Sequence, residues 1–327
     1  MKISVLDFVS VIEGGTVGAA LAESAKLAKL AEELGCHRFW MAEHHGMPGI
    51  ASSAVSTCLA HVGHATSTIR IGAGGIMLPN HSPLVIAEQF GTLDALFPGR
   101  VDLGLGRAPG ADQRIAQMLR KDIHAAAERF PQDVVELQAL FAGDERLPMQ
   151  AIPGAGANPQ IWLLGSSLFG AQLAAMLGLP YAFASHFAPA ALDDALATYR
   201  ANFRPSESLD RPHVMVAANC YPADTREEAQ LSASSMDQSF IALRTGTPGR
   251  LPPPVPGYRD SLPAGHLAGL NAMREVSAVG TGADVRAAIE RLVERTRPDE
   301  IILAGSTFDP EVRRRGLVIA MEALAGL

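Results

Sequence analysis

Cysteine is scarce in this chain of 327 residues. The three cysteines are an odd number, and their spacing matches neither a CxxC pair nor a zinc finger: Cys36, Cys58 and Cys220. A disulfide framework and a structural zinc site are therefore not expected. An acidic residue, Asp7, interrupts the N-terminus before the apolar run of a secretory signal can form. Both observations indicate a reducing compartment, and we expect the protein in the cytoplasm.

Positive charge is also in short supply, because 27 basic side chains stand against 34 acidic ones and leave a formal charge of −7. This balance gives no long-range attraction to phosphate backbones or anionic lipids, so neither nucleic acid nor a membrane surface is the expected partner. Residues 147–192 contain no Asp, Glu, Lys or Arg, but glycine, serine and proline interrupt them. No apolar run reaches the roughly 18 to 20 residues of a membrane span. A small-molecule ligand is the expected partner.

Short apolar runs alternate along the chain with stretches of helical periodicity. Eight of these runs are predicted as strands: Ile3–Phe8, Arg38–Glu43, Ile69–Gly75, Val101–Gly106, Ile161–Gly165, Tyr181–Ser185, Val214–Asn219 and Glu300–Gly305. Eight strands that alternate with helices favour an α/β fold, the (β/α)8 TIM barrel. Wide spacing after strands four and seven predicts insertions there, within a single domain over residues 1–327. The alternative is a doubly wound open sheet, which needs fewer strands and a second domain.

Several helix boundaries carry local signals. Thr225 and Glu228 have the spacing of a capping box. The pairs Ser82–Pro83 and Phe130–Pro131 are predicted to begin helices, because proline suits the first helical turn. Segment 246–257, in the second insertion, is too rich in proline for a helix or a central strand and is predicted as an exposed loop or lid.

Polar side chains follow the predicted strands at the edge where a TIM barrel carries its active site. The densest group is Glu43, His44 and His45, and strand alternation places Glu43 and His45 on one face and His44 on the other. Such groups suit proton transfer, because histidine changes charge near neutral pH; a hydrogen-bonded structural group is the alternative. No HxH or HExxH spacing occurs, so no metal is expected. None of the four lysines directly follows a strand, which argues against Schiff-base chemistry.

Two further strand ends suit an anion. Arg107 follows strand four and offers a planar fork of donors. Ser166 and Ser167 precede a short helix over 168–177, whose free N–H groups attract negative charge. Together these residues predict a clamp for one phosphate monoester; an ion pair at Arg107 and a simple N-cap at Ser167 are the alternatives. The glycines near the end of strand three, Gly72, Gly74 and Gly75, predict close approach of a flat ring or else tight packing inside the barrel.

Three segments, 40–45, 69–79 and 98–107, resemble the bacterial luciferase-like flavin-dependent monooxygenases in order and spacing. The resemblance runs nearly end to end and implies a barrel that binds FMN. It also implies that a separate flavin reductase supplies FMNH2 and that O2 reacts at the flavin C4a atom to give a peroxyflavin. The peroxyflavin would then oxidise a small organic substrate. Relatives of this kind often dimerise, so a homodimer is expected by analogy.

The resemblance also assigns roles to individual residues. His44 matches the histidine linked to acid–base chemistry, and the Gly74–Gly75 peptide matches one that is frequently cis. The implied cofactor contacts are Glu43, Gly74, Gly75, Arg107, Gly165, Ser166, Ser167 and Ser185. Gly106 stands where the luciferases have a reactive cysteine, and the pair Gly165–Ser166 lacks the glutamate of light-emitting members. Light emission is therefore not expected.

Three functions stay open at this point. The first is an FMNH2- and O2-dependent monooxygenase. The second is hydride transfer with a deazaflavin or nicotinamide on the same barrel. The third is flavin binding without catalysis, against which the histidines at the strand end argue, because storage needs no titratable group.

Overall fold

The computed structural model describes residues 1–107, 118–119 and 122–327, and in that part of the chain nine strands and ten α-helices have defined bounds. The strands are β1 (Lys2–Asp7), β2 (Arg38–Met41), β3 (Arg70–Met77), β4 (Val101–Gly106), β5 (Gln160–Gly165), β6 (Tyr181–Phe183), β7 (Val214–Pro222), β8 (Ser277–Gly280) and β9 (Glu300–Ala304). The helices are α1 (Val17–Glu33), α2 (Val55–Ala65), α3 (Pro83–Leu96), α4 (Ile123–Ala142), α5 (Leu168–Leu177), α6 (Leu192–Asn202), α7 (Arg226–Arg244), α8 (Ala264–Met273), α9 (Gly282–Thr296) and α10 (Pro310–Ala323). Within those ranges, no helix has the length and apolarity needed to cross a membrane.

Eight strands close into a barrel in the order β1-β2-β3-β4-β5-β6-β7-β9 and back to β1, and every neighbouring pair is parallel. These are the eight predicted strands, so the predicted TIM barrel is confirmed. The ninth strand, β8, was not predicted. It lies in the insertion after β7 and pairs with Asn219–Pro222, beyond the Val214–Val216 stretch that pairs with β6. Its four residues are too few to show a periodic pattern.

The helix boundaries confirm three predictions and correct a fourth. Helix α3 begins at Pro83 with Ser82 at its N-cap, and α5 spans the predicted residues 168–177. The capping box is present at the start of α7, where the Thr225 side chain accepts from the Glu228 N–H and the Glu228 side chain accepts from the Thr225 N–H. The prediction that Phe130–Pro131 begins a helix is wrong, because α4 begins at Ile123 and contains Pro131 in its interior. Proline is common in the first turn of a helix, where its missing N–H is not needed. An interior proline such as Pro131 has the same local sequence signal, so it was predicted as a helix start.

Side chains fill the barrel interior and close its N-terminal end. Trp40 and Trp162 meet edge to face inside the barrel, with ring centroids 5.4 Å apart. Below them, Arg38 Nε donates to Glu300 Oε2 at 2.9 Å and Arg38 Nη1 donates to Asp102 Oδ2 at 2.7 Å. All three charged residues are buried, and their ion pairs close the N-terminal end of the barrel, which we call the barrel floor. The open end of the barrel is the end where the strands finish.

Segment 246–257 is more than an exposed loop. Leu251 is only 4% exposed and pairs with Ile12, which lies in the loop after β1. The Leu251 N–H donates to the Val11 carbonyl, and the Leu251 carbonyl accepts from the Glu13 N–H, both at 2.9 Å. The segment is therefore docked over the end of β1, where Leu251 forms part of a cavity wall.

Candidate functional site

A cavity of about 700 Å³ opens at the carboxyl ends of the strands, within the size range of small-molecule sites. Eight of the nine predicted site residues line it: Glu43, His44, Gly74, Gly75, Arg107, Gly165, Ser166 and Ser167. They belong to β3 and β5 or follow β2, β4 and β5, so closure of the barrel brings them together. Side chains from α7, α8 and segment 246–257 complete the wall.

Glu43 is a buried carboxylate held between two histidines. Its Oε1 lies 2.5 Å from His45 Nε2 and 2.7 Å from His81 Nε2, and its Oε2 accepts from the Met77 N–H at 3.0 Å. Burial raises the pKa of the Glu43 carboxyl, but the hydrogen bonds from His81, His45 and Met77 outweigh burial and hold that pKa below its ordinary value. Glu43 is therefore ionised at neutral pH.

The alternation predicted for Glu43, His44 and His45 stays a prediction, because β2 ends at Met41 and both Glu43 and His44 line the cavity. His45 contacts Glu43, and the His44 ring centroid lies 6.4 Å from that of Phe8. Sequence reasoning missed His81, because it is 38 residues from Glu43 and only the packing after β3 brings the two together.

The donor atoms of Glu43, His45 and His81 lie within 4.8 Å of one another and are of types that bind metal ions. Here Glu43 forms hydrogen bonds to both histidines. This is also the arrangement of a hydrogen-bonded structural group, which was the alternative interpretation. The expectation that no metal is bound stays a prediction.

A second cavity histidine, His186, follows β6 and lies beside Phe8, with ring centroids 5.9 Å apart. The Asn219 side-chain amide donates to the His186 carbonyl at 2.7 Å and fixes this turn. His186 Nδ1 is buried and has no hydrogen-bond partner among the described residues. Burial, with a smaller effect from the charge of His44, lowers the pKa of His186 to about 4. Burial also lowers the pKa of His44, so both rings are neutral at pH 7.

Arg107 lies beside the start of α5. Its guanidinium carbon is 4.1 Å from the centroid of the Phe169 ring, and its Nε donates to the Ala127 carbonyl at 3.3 Å. Among the described residues no carboxylate pairs with Arg107, so the ion-pair interpretation finds no partner there. Ser167 occupies the N-cap position of α5, but its side chain makes no capping hydrogen bond. The Ser167 hydroxyl and the first N–H groups of α5 are therefore available to an anion beside Arg107.

The glycines at the end of β3 have a packing reason. The Gly74–Gly75 peptide is cis, as the resemblance implies. A Cβ at Gly75 would lie 2.6 Å from the Gly104 carbonyl oxygen, and one at Gly74 would lie 2.9 Å from Leu6. Tight packing therefore accounts for both residues. Gly106 differs, because a Cβ there would meet only the Ile76 carbonyl oxygen, at 3.7 Å.

Ser185 is the predicted cofactor contact that the structure places elsewhere. It is fully buried, it is not among the described residues that line the cavity, and its hydroxyl donates to the Ala217 carbonyl at 2.5 Å. This hydrogen bond joins the end of β6 to β7. Alternation along the chain sends Ser185 into the wall and its neighbours Ala184 and His186 to the cavity.

Residues 1–300 match the family model described as luciferase-like monooxygenase. The chain belongs to the luciferase-like monooxygenase family. It is similar to a luciferase-like monooxygenase of Escherichia coli strain K12, with 47% identity over 98% of this chain and 96% of that protein. It is also similar to the N-acetyl-S-alkylcysteine monooxygenase of Bacillus subtilis strain 168, with 34% identity over 75% of each chain. The crystal structure of apo-MsnO8 superimposes with a TM-score of 0.87, at 32% identity over 98% of both chains.

Membership of the luciferase-like monooxygenase family makes this protein an enzyme of the monooxygenase class. The family match includes β1 to β8 and every described residue of the cavity except Ser306. The cavity is therefore the candidate active site.

Proposed function

We propose that the protein binds FMN in this cavity and, with FMNH2 and O2, oxidises a small organic substrate. The observation that carries the proposal is one cavity with two different ends. One end offers Arg107, the serine hydroxyls and the N-terminus of α5 to an anion, and the other end is apolar. A phosphorylated flavin has the matching shape, because its phosphate is anionic and its ring system is flat and largely apolar.

The residues present fit this group. Arg107, Ser166 and Ser167 would hold the phosphate, since a guanidinium and helix N–H groups are strong phosphate donors. Gly74, Gly75 and Gly106 also line the cavity and would border the ring system. When bound, the reduced flavin supplies the two electrons by which one atom of O2 enters the substrate and the other leaves as water.

The chain's own catalytic group in this proposal is His44. Its imidazole lines the cavity and is neutral at pH 7, so it can accept a proton from a reacting group and return it. Glu43 contributes as a cofactor-side residue, because its ionised carboxylate holds the Met77 amide and both flanking histidines in place. The docked segment 246–257 narrows access for water on the side of β1.

A titration tests the phosphate assignment with ligands that differ in one group. We expect FMN to bind at least about 100-fold more tightly than riboflavin, which lacks the phosphate, because each charge-assisted hydrogen bond contributes about 1.5–3 kcal/mol. Oxygen uptake after addition of FMNH2 then tests the monooxygenase reaction. Equal affinity for FMN and riboflavin would remove the phosphate site, and tight binding of a deazaflavin with no oxygen uptake would favour hydride transfer.

Supply of FMNH2 by a separate reductase is part of the same proposal. Reduced flavin generated chemically should therefore support turnover without NADH, whereas NADH alone should not. The expected homodimer stays a prediction.

A further inference from the structure

Part of the cavity wall comes from the insertion after β7, a strand that lies three positions around the barrel from β4, which Arg107 follows. Helix α7 contributes one face to it, at the spacing of successive helical turns: Met236, Ser239, Phe240 and Leu243. The Ser239 hydroxyl donates back to the Ser235 carbonyl at 3.2 Å, so this face presents little free polarity. Leu251 and Met273 extend the same surface. We call these residues without Ser239 the apolar wall: Met236, Phe240, Leu243, Leu251 and Met273.

The apolar wall contains no charged side chain. Among the described residues that line the cavity, the ionisable side chains other than histidine are Glu43 and Arg107, and neither belongs to the wall. The buried acid of α7, Asp237, does not line the cavity and is held by Arg274 through two hydrogen bonds of 2.7 and 2.8 Å. A charged group placed against the wall would therefore lose water and gain no opposite charge, which costs several kcal/mol.

The side chain of His186 is a hydrogen-bonding group near this region, because the Asn219 amide contacts both the His186 carbonyl and Met273 of the apolar wall. His186 lines the cavity beside Phe8, its turn is fixed by Asn219, and its buried Nδ1 has no partner in the described part of the chain. A buried ring nitrogen without a partner is costly unless a ligand supplies one. The neutral state of the ring suits a neutral partner, because a low pKa disfavours the charged imidazolium.

We propose that the apolar wall binds an uncharged, mainly apolar substrate with a single carbonyl or hydroxyl group, and that the imidazole of His186 forms a hydrogen bond to that group. This inference rests on the proposed function, because it takes the phosphate end of the cavity to be filled by FMN. His186 then determines specificity and orients the substrate, while His44, which also lies beside Phe8, is left for proton transfer.

The test compares methyl octanoate with octanoate in titrations of the FMN-loaded protein. We expect the neutral ester to bind at least about 100-fold more tightly, because the carboxylate would be buried without a counter-charge. Replacing His186 with Leu should weaken ester binding by roughly threefold to tenfold, the worth of one hydrogen bond, and His186→Asn should restore most of it. An ester that binds no better than octanoate overturns the proposal.

A charge on the rim of the apolar wall provides a second variant. Leu243 is 40% exposed and lines the cavity, so Leu243→Lys should fold and should shift the preference toward octanoate. Val135→Lys on α4, at a position that is 50% exposed and does not line the cavity, is the matched control and should keep the preference for the ester. Unchanged preference in Leu243→Lys would contradict the proposal.

Measuring FMN affinity on the same preparations separates the two ideas. If FMN binds and the ester and octanoate are not distinguished, the substrate inference fails and the cofactor proposal stands. If FMN does not bind while the ester is still preferred, the cofactor proposal fails and the apolar wall is supported.

Discussion

Arg107 donates from Nε to the carbonyl oxygen of Ala127, at 3.3 Å, and that oxygen lies four residues before Pro131 in α4. In a regular helix the residue at 131 would donate its N–H to this carbonyl, but proline has no N–H. The proline therefore leaves the acceptor available to Arg107. With Nε used there and the flat face on Phe169, the terminal nitrogens of the guanidinium remain for an anion.

Pro131→Ala should separate helix stability from cofactor affinity. The new N–H would compete for the Ala127 carbonyl and would raise the unfolding free energy by up to about 3 kcal/mol. Arg107 would lose one fixed hydrogen bond, and we expect FMN to bind roughly threefold to tenfold more weakly. Thermal unfolding and FMN titration measure the two effects. Pro310→Ala, at the start of α10, is the control, and unchanged FMN affinity in Pro131→Ala would show that Arg107 does not depend on this carbonyl.

Arg107→Ala should weaken FMN binding far more than riboflavin binding. We expect a loss of about 1.5–3 kcal/mol for FMN, which is roughly tenfold to 150-fold in Kd. Riboflavin affinity should change much less, because the lost contact is to the phosphate. Arg129→Ala removes a largely exposed arginine of α4 and serves as the control. Equal losses for both ligands would place Arg107 against the ring and not against the phosphate.

His44→Ala should lower turnover by roughly 10²- to 10⁴-fold while leaving the FMN Kd within about twofold. The pKa of His44 is lowered by burial, so the neutral ring is the base and activity should fall as the pH drops below that pKa. The variant should lose this acidic limb of the pH profile. Normal turnover of the variant would reject the catalytic role.

Gly106→Val should lose flavin affinity but keep its stability, whereas Gly104→Ala should lose stability. A Cβ at Gly106 meets only the Ile76 carbonyl oxygen at 3.7 Å, so Gly106→Val should fold and should weaken flavin binding by filling the cavity. A Cβ at Gly104 would overlap the Ala73 carbonyl oxygen, so Gly104→Ala should destabilise the barrel. Thermal unfolding with and without FMN measures both. Full flavin affinity in Gly106→Val would place the ring elsewhere.

The ion network on the barrel floor should make stability depend on acid. Burial raises the pKa of Glu300, but hydrogen bonds from His213 and Arg38 and the charge of Arg38 reverse this effect and lower the pKa to about 2. Because this folded-state value lies below that of the unfolded chain, the stabilisation is complete above about pH 4.5 and is lost as the pH falls toward 2.

Glu300→Gln should therefore lower the free energy of unfolding at pH 7 by about 3–5 kcal/mol, because it leaves Arg38 buried with one acid fewer. It should also flatten the loss of stability between pH 4.5 and pH 2. Urea unfolding at several pH values measures this. Glu290→Gln, in an exposed pair with Arg286, should cost at most about 1 kcal/mol. Similar losses in the two variants would argue against the network.

The local sequence determined the order of the strands and helices, because alternation, apolar runs and caps such as Thr225 act between near neighbours. It also determined that the strand ends would be polar, and the resemblance named eight residues that line one cavity. It gave no signal for His81 beside Glu43, since that contact joins residues 38 apart. The sequence also does not encode the direction of a side chain just past a strand, so it predicts a cofactor contact at Ser185, whereas His186 lines the cavity.

Only the tertiary structure decided what Pro131 and segment 246–257 do. A proline inside a helix and a proline at its start have the same local sequence signal. Inside the helix, Pro131 leaves the Ala127 carbonyl without its usual N–H donor, and only the tertiary structure shows that Arg107 donates to it. Leu251 is buried because its backbone meets that of Val11 and Glu13, more than 230 residues earlier in the chain. Periodicity reports which residues seek burial, whereas closure of the barrel determines which of them meet.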